Sequence, residues 1–230
     1  METRVLADAE LAAREAARVI AAEARAAAEA RGRFVLAVSG GHTPWLMLRA
    51  LAAEEVPWAA VHVVQVDERV APAGDPDRNL THIRESLLLR GPLPETNVHA
   101  MPVEEPGVEA AARVYARTLE QIAGAPAVLD LVHLGLGPDG HAASLVPGDP
   151  VLDVADRDVA LTAAYGGRRR MTLTYPALDR SRRILWLVTG ADKAAVLPRL
   201  LAGDRSIPAG RVRRDSALVL ADRAAAGEKE

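Results

Sequence analysis

Short apolar runs rich in β-branched residues recur along the chain, and most of them lead into a loop that is rich in glycine or acidic residues. Runs of this kind are typical of buried β-strands. The pattern predicts strands at residues 33–38, 61–66, 129–134, 159–162, 184–188 and 216–220. Residues 171–175 (MTLTY) fit either a strand or a helix.

The stretches between these runs place apolar residues at helical spacing. Residues 1–32 are predicted to form an amphipathic helix that ends at Gly32, and the tail, residues 224–230, is expected to be frayed. Thr43 is expected to cap a helix that begins at about Pro44. Further helices are predicted at residues 80–89, 108–122 and 193–201, and HAASLV (141–146) is predicted to start another.

Strands that alternate with helices predict an α/β fold, in which a mostly parallel sheet is covered by helices on both faces. We expect residues 1–230 to form one domain, with the N-terminal helix packed against it. In such folds ligands bind at the carboxyl ends of the strands, where loops meet helix N-termini. The functional site is therefore expected in the loops that follow the strongest strands.

Composition narrows the classes of function. Half of the residues are hydrophobic and the formal net charge is −3, which indicates a globular protein and favours neither a nucleic-acid nor a membrane partner. The chain has no cysteine, which excludes disulfides and thiolate chemistry, and its six histidines lack metal-ligand spacing, so no metal is expected. No stretch has the length of a transmembrane span, and we expect a cytoplasmic protein. The oligomeric state stays open, a monomer included.

Four glycine-rich or acidic loops follow predicted strands and are expected to meet at one edge of the sheet. They are SGGHTP (39–44), DERVAPAGDPDRN (67–79), GLGPDGH (135–141) and TGADK (189–193). In the first loop, Gly40 and Gly41 allow the backbone to approach a ligand closely. Ser39 and Thr43 offer hydroxyl groups near a helix N-terminus, which suits a phosphate. The alternative is an ordinary tight turn, in which His42 faces solvent rather than a ligand.

Two other loops carry charged candidates. Lys193 lies in the first turn of a predicted helix, where it opposes the helix dipole; a bound anion would account for it, and a solvated surface lysine is the alternative. Asp67 and Glu68 are candidates for binding sugar hydroxyls or for proton transfer. Arg69 is a candidate for gripping a carboxylate, a lactone oxygen or a phosphate. The alternative for these three residues is a surface ion-pair cluster.

Asp139 and His141 give the sharpest chemical signal, because they flank a glycine just after a predicted buried strand. Histidine is the commonest general base near neutral pH, and a neighbouring carboxylate can orient it. The alternative is that Asp139 caps a helix. The chain has no GxSxG motif, which favours a base that activates water over a covalent intermediate. His62 and His133 lie within predicted strands and are expected to be edge or core residues.

Five segments, taken in order, match the motifs of a known enzyme family. They are LAVSGGHTP (36–44), VDERVAPAGDPDRN (66–79), LGLGPDGHAASLVPG (134–148), RMTLTYPAL (170–178) and VTGADKAAVL (188–197). In these segments the chain resembles the 6-phosphogluconolactonases. The resemblance implies a Rossmann-like three-layer α/β/α fold. It also implies hydrolysis of 6-phosphogluconolactone in the oxidative pentose phosphate pathway, without a cofactor.

The resemblance further implies roles for individual residues. His141 is expected to be the base and Asp139 its partner. Arg69 and Asn79 fall where members of the family line the substrate pocket. The expected phosphate site consists of Ser39, Gly40, Gly41, Thr43, Lys193 and an arginine of the run 168–170, for which Arg170 is the best match.

The chain departs from the family pattern in two places, and two rival functions stay open. His42 stands where serine is common, and residues 165–170 (YGGRRR) lack a proline-rich run, which leaves the choice among the three arginines open. The first rival is glucosamine-6-phosphate deaminase/isomerase, but Val146 occupies the place where that enzyme carries a glutamate. The second is a sugar-phosphate sensor without turnover, against which the pairing of Asp139 with His141 counts.

Overall fold

A seven-stranded parallel sheet forms the centre of the protein in a computed structural model that describes residues 1–89 and 91–228. Its strands, in spatial order, are β1 (Glu2–Leu6), β10 (Ala217–Asp222), β9 (Arg183–Val188), β6 (Leu131–Leu134), β2 (Phe34–Val38), β3 (Val61–Gln65) and β5 (Val98–His99). A smaller antiparallel sheet contains β4 (Asp67–Arg69), β8 (Arg170–Leu173) and β7 (Val159–Leu161).

Helices cover both faces of the large sheet. The described α-helices are α1 (Ala9–Arg31), α2 (His42–Leu51), α3 (Asn79–Ile83), α4 (Val108–Ala123), α5 (Tyr175–Arg180) and α6 (Leu197–Ala202). Side chains alternate along β2, so that Leu36 packs with the buried faces of α1 and α2, whereas Val35 packs with Tyr115 of α4. The predicted three-layer α/β/α fold is confirmed.

The N-terminal segment differs from its prediction. Residues 2–6 form β1, which pairs in parallel with β10, and the helix begins only at Ala9. The carboxylate of Asp8 accepts the backbone N–H of Leu11 at 2.7 Å and so caps the helix start. Gly32, with φ 72°, ends the helix as predicted. The edge of the sheet provides backbone partners that the exposed sequence of β1 does not reveal.

Three predictions in the loops were wrong, the first for a conformational reason. Residues 141–146 form a turn, because Gly140 and Ala143 have φ of 86° and 53°, which no right-handed helix accommodates. Gly41, not Thr43, occupies the N-cap position of α2, which has no side-chain cap. The helix predicted at residues 193–201 is divided into a 3₁₀ turn, Ala191–Lys193, and α6.

Two further segments have their own structure. The helix predicted at residues 80–89 is α3 followed by a π-helical turn, Arg84–Leu88. Residues 224–228, expected to be frayed, form hydrogen-bonded turns in which Ala225 is buried. Lys229 and Glu230 lie outside the described residues.

No helix in the described part of the chain is both long enough and apolar enough to cross a membrane. The cytoplasmic location stays a prediction. The single domain, residues 1–230, also stays a prediction, which the presence of strands from both ends of the chain in one sheet supports.

Candidate active site

An open cleft of about 370 Å³ lies at the carboxyl ends of β2, β6 and β9, which are neighbours in the sheet. The loops after these three strands line it, together with residues of the small antiparallel sheet. The structure therefore brings together the four loops that the sequence analysis singled out. The predicted site residues in the cleft wall are Ser39, Gly40, Gly41, Thr43, Asp67, Arg69, Asn79, His141, Arg170 and Lys193.

Asp139 lies behind His141 and holds its imidazole ring. Oδ1 of Asp139 lies 2.6 Å from Nδ1 of His141 and accepts the backbone N–H of the same residue at 3.1 Å. Burial by itself would raise the pKa of Asp139, but the N–H group and the charge of His141 outweigh it, and the pKa falls below its ordinary value. Because an ionised Asp139 accepts a proton-bearing Nδ1, Nε2 is the nitrogen that can take up a proton.

The glycines of the GLGPDGH loop give this pair its space. A Cβ atom on Gly137 would lie 2.1 Å from Nδ1 of His141, far inside van der Waals contact. The backbone of the loop is closed by hydrogen bonds from Gly137 N to the His141 carbonyl at 2.8 Å and from Gly140 N to the Gly137 carbonyl at 2.9 Å. No helix begins here, so the alternative role of Asp139 as a helix cap is wrong.

The SGGHTP loop brings the start of α2 to the cleft. Backbone N–H groups and the dipole at a helix N-terminus favour a bound anion. Ser39, however, is already engaged: its N–H donates to Nδ1 of His133 at 3.3 Å and its hydroxyl donates to the His133 carbonyl at 3.0 Å. Thr43 contributes a hydroxyl that lies 2.6 Å from that of Thr189. Thr189 also lines the cleft and was missed by the sequence analysis.

Residues 67–69 are a strand and not the surface ion-pair cluster that was the alternative interpretation. Glu68 is completely buried and accepts the backbone N–H groups of Asn79 and Leu80, both at 2.9 Å. It therefore anchors the start of α3 and lies away from the cleft, so it is no candidate for binding sugar. A Cβ atom on Gly40 would overlap Oδ1 of Asn79, which explains glycine at that position.

Asn79 fixes both of the remaining DER side chains. It accepts a hydrogen bond from Nη1 of Arg69, and its Nδ2 donates to Oδ1 of Asp67 at 3.3 Å and to the backbone carbonyl of the same residue at 2.9 Å. The carboxylate of Asp67 also accepts the hydroxyl of Ser144 at 2.5 Å. Arg69 and Asp67 therefore present one cationic and one anionic group in fixed positions on the same wall of the cleft.

Only one arginine of the run 168–170 lines the cleft. Arg168 pairs with Asp75 at 2.8 Å, and Arg169 pairs with Glu109 at 2.9 Å. Arg170 points into the cleft, where burial lowers its pKa and the neighbouring charge of Arg69 lowers it further. Arg69 and Arg170 are opposite each other in the pairing of β4 with β8, and two guanidinium groups side by side favour an anion that contacts both.

Lys193 completes the cationic lining. It is mostly buried, with 18% of its side chain exposed, and Nζ donates to the carboxylate of Asp192 at 2.5 Å. Asp192 also lines the cleft and was not predicted. Its place next to a cation in a loop gave no separate signal in the sequence.

Of the other five histidines, four do not line the cleft. His133 is buried, as expected, and burial lowers its pKa to about 3. Nδ1 of His62 lies 3.0 Å from Nε2 of His99 at the edge of the sheet, and burial lowers the pKa of both. His82 stacks on Trp45, whereas His42 lines the cleft.

The fold and the cleft define a class of protein: a three-layer α/β enzyme whose site combines a carboxylate–imidazole pair with groups that bind anions. The chain belongs to the family described as glucosamine-6-phosphate isomerases/6-phosphogluconolactonase, whose model matches residues 7–220. That family contains two activities, and the match by itself does not decide between them.

Individual relatives divide unequally between the two activities. A protein of Synechocystis named 6-phosphogluconolactonase is 38% identical over 176 residues, which are 75% of this chain and 73% of the relative. The solved structure of a 6-phosphogluconolactonase from Thermotoga maritima has a TM-score of 0.85 at 30% identity and covers 96% of this chain and 98% of its own. A monomeric glucosamine-6-phosphate deaminase also has a TM-score of 0.85, but its 20% identity shows a shared fold alone.

Proposed function

We propose that this protein hydrolyses the ring ester of 6-phosphogluconolactone and releases 6-phosphogluconate. The observation that carries the proposal is the Asp139–His141 pair in a cleft that also holds three cationic side chains: Arg69, Arg170 and Lys193. The relatives at 38% and 30% identity, both named 6-phosphogluconolactonase, support the same reaction. A phosphorylated lactone presents one dianionic group and one ester, and the cleft offers partners for both.

The phosphate of the substrate would be held by Arg170, Lys193 and the N-terminus of α2. An arginine binds phosphate through two parallel hydrogen bonds, and a lysine binds it as a point charge. The anion would also offset the repulsion between Arg170 and Arg69 that lowers the pKa of Arg170. Because the phosphate takes no part in the reaction, its binding energy serves to fix the lactone ring next to His141.

The chemistry follows from the orientation of His141. Nε2 takes a proton from a water molecule while the oxygen of that water attacks the ring carbonyl carbon. The carbonyl oxygen becomes an oxyanion, which Arg69 would stabilise. The intermediate then collapses: the bond between the carbonyl carbon and the ring oxygen breaks, and protonated His141 gives its proton to that ring oxygen. Asp139 stabilises the imidazolium throughout.

A lactone is an activated ester, so the enzyme needs only moderate acceleration. A positioned general base typically contributes about 10²–10⁴-fold, and each tenfold corresponds to about 1.4 kcal/mol of barrier. Electrostatic stabilisation of the oxyanion by one cation adds a contribution of similar size. The pair of groups in this cleft therefore suffices without a covalent intermediate.

The decisive experiment is hydrolysis of freshly prepared 6-phosphogluconolactone at neutral pH with a chelator present, measured as proton release above the uncatalysed rate. We expect rapid turnover by the wild-type protein and its loss in His141→Ala, with binding of 6-phosphogluconate retained. His62→Ala is the control, because His62 lies on β3 outside the cleft. Full turnover by His141→Ala would refute the base assignment, and no turnover by the wild-type protein would refute the function.

The same preparation of the wild-type protein distinguishes the rival functions. Val146 is a buried apolar residue with no proton to exchange, which disfavours ring opening of glucosamine 6-phosphate. Ammonia release from glucosamine 6-phosphate without lactone hydrolysis would establish the deaminase. Tight binding of 6-phosphogluconate with neither reaction would establish a sensor.

A further inference from the structure

The hairpin between β7 and β8 lies against the candidate active site and differs from the family pattern in sequence. Tyr165 and Arg168 exchange backbone hydrogen bonds of 2.9 and 3.4 Å around Gly166 and Gly167. These glycines have φ of 61° and 79°, the values that a tight two-residue hairpin turn requires at both central positions. The turn fixes the direction of the Tyr165 side chain, which is partly exposed.

Tyr165 contacts the Asp139–His141 pair and also one of the cationic side chains of the cleft. Its hydroxyl donates to Oδ2 of Asp139 at 3.4 Å, on the carboxylate oxygen that His141 does not use. Its ring lies under the guanidinium of Arg170, with 4.9 Å between Cζ and the ring centroid. The same ring meets the imidazole of His141 edge to face, at a centroid distance of 5.9 Å. One side chain therefore joins the carboxylate, the base and the cation.

The hairpin is also attached to the loop that follows β4, the strand next to β8 in the small sheet. Arg168 pairs with Asp75, which lies in that loop between Arg69 and Asn79. Arg169, on the same hairpin, instead turns away from the cleft towards Glu109 of α4. The hairpin is therefore held from both sides, and Tyr165 is the residue of its turn that contacts Asp139 and His141.

We propose that Tyr165 is a positioning residue of this enzyme: its hydroxyl sets the orientation of Asp139 and hence of His141, and its ring sets the position of Arg170. The inference rests on the proposed lactonase function. The two halves of the side chain then act on different kinetic constants, because His141 acts in the chemical step whereas Arg170 holds the phosphate.

Two variants separate the effect of the Tyr165 hydroxyl from the effect of its ring. Tyr165→Phe removes the hydroxyl and keeps the ring, and we expect kcat to fall about two- to twelvefold, the effect of one hydrogen bond, with KM unchanged. Tyr165→Leu removes both, and we expect in addition a rise in KM of about two- to fivefold, the effect of an exposed cation–π contact. Arg169→Gln is the matched control on the same hairpin and should leave both constants unchanged.

The outcomes distinguish this proposal from the function on which it rests. Wild-type kcat in Tyr165→Phe together with wild-type KM in Tyr165→Leu would overturn it, as would the same losses in Arg169→Gln. If the wild-type protein hydrolyses no lactone, the function fails, and nuclear magnetic resonance of the His141 ring protons decides the role of Tyr165 instead. A shift of these signals in Tyr165→Phe, which keeps the aromatic ring and its ring current, but not in Arg169→Gln supports it, and unchanged signals overturn it.

Discussion

Asp139 and His141 are joined through two separate contacts to one carboxylate oxygen, the first to the imidazole Nδ1 at 2.6 Å and the second to the backbone N–H at 3.1 Å. The first contact fixes the tautomer of the ring, and the second fixes the carboxylate relative to the chain. A base held at both points loses little orientational freedom, so it is ready to act when substrate binds.

Asp139→Asn tests whether this contact has a chemical purpose. An amide of the same size keeps the packing but removes the charge that stabilises the imidazolium, and it can select the wrong tautomer. We expect kcat to fall about 100-fold or more, with little change in KM, as measured by proton release. Asp156→Asn, which alters an exposed carboxylate paired with Arg157, is the control. If Asp139→Asn retained kcat within a factor of two, the pair would be merely structural.

Gly137→Ala tests the position of the imidazole without touching its chemistry. The added Cβ would lie 2.1 Å from Nδ1 of His141, so the ring must move. We expect kcat to fall at least about 10-fold, since a displacement of 1 Å can cost about 100-fold. Gly107→Ala is the control, because Gly107 lies outside the cleft and a Cβ there meets only the Cβ of Ala110, at an ordinary 3.8 Å. Equal activities of the two variants would show that the ring position is not critical.

The sequence predicted the central strands well because a parallel sheet is buried on both faces, so β2 is wholly apolar and β6 and β9 are apolar except for His133 and Arg183. It failed where other forces determine the structure. β1 is largely exposed and exists because β10 offers backbone partners. β4 has the polar sequence DER. Its Glu68 can be buried because the backbone N–H groups of Asn79 and Leu80, which follow the next loop, donate hydrogen bonds to its carboxylate.

The site could be predicted to the level of loops but not to the level of contacts. Strand ends of a parallel sheet meet at one edge, which sufficed to bring His141, Lys193 and the SGGHTP loop together. Which arginine enters the cleft depends on the pairing of Arg168 with Asp75, 93 positions away in the chain. No local pattern carries that information, and the same holds for the contact of Tyr165 with Asp139.

Arg170→Ala tests the assignment among the three arginines. Hydrogen bonds to charged groups contribute about 1.5–3 kcal/mol each, so loss of one phosphate contact should raise KM about 10- to 150-fold. Arg169→Ala is the control, because Arg169 pairs with Glu109 outside the cleft. Initial rates over a range of lactone concentrations give KM for both variants. A larger rise in KM for Arg169→Ala than for Arg170→Ala would reverse the assignment.

The buried imidazole of His133 should make the stability of the protein depend on pH. Burial lowers its pKa to about 3 in the folded state, whereas an unfolded histidine has a pKa of about 6.5. Between these values the unfolded chain binds a proton that the folded chain excludes, so stability falls as the pH falls below about 6.5. The loss is about 1.4 kcal/mol per pH unit, or about 2 kcal/mol at pH 5.

His133→Asn removes this titration and keeps an acceptor near the N–H of Ser39, which Nδ1 of His133 accepts at 3.3 Å. Urea unfolding at pH 7 and at pH 5 should show a loss in the wild-type protein that exceeds the loss in the variant by about 2 kcal/mol. Between pH 7 and pH 8 the histidine is neutral in both states, so the difference between the two proteins should stay constant there. Parallel stability curves down to pH 5 would show that burial does not depress the pKa of His133, and that the contact between His133 and the SGGHTP loop tolerates a charge.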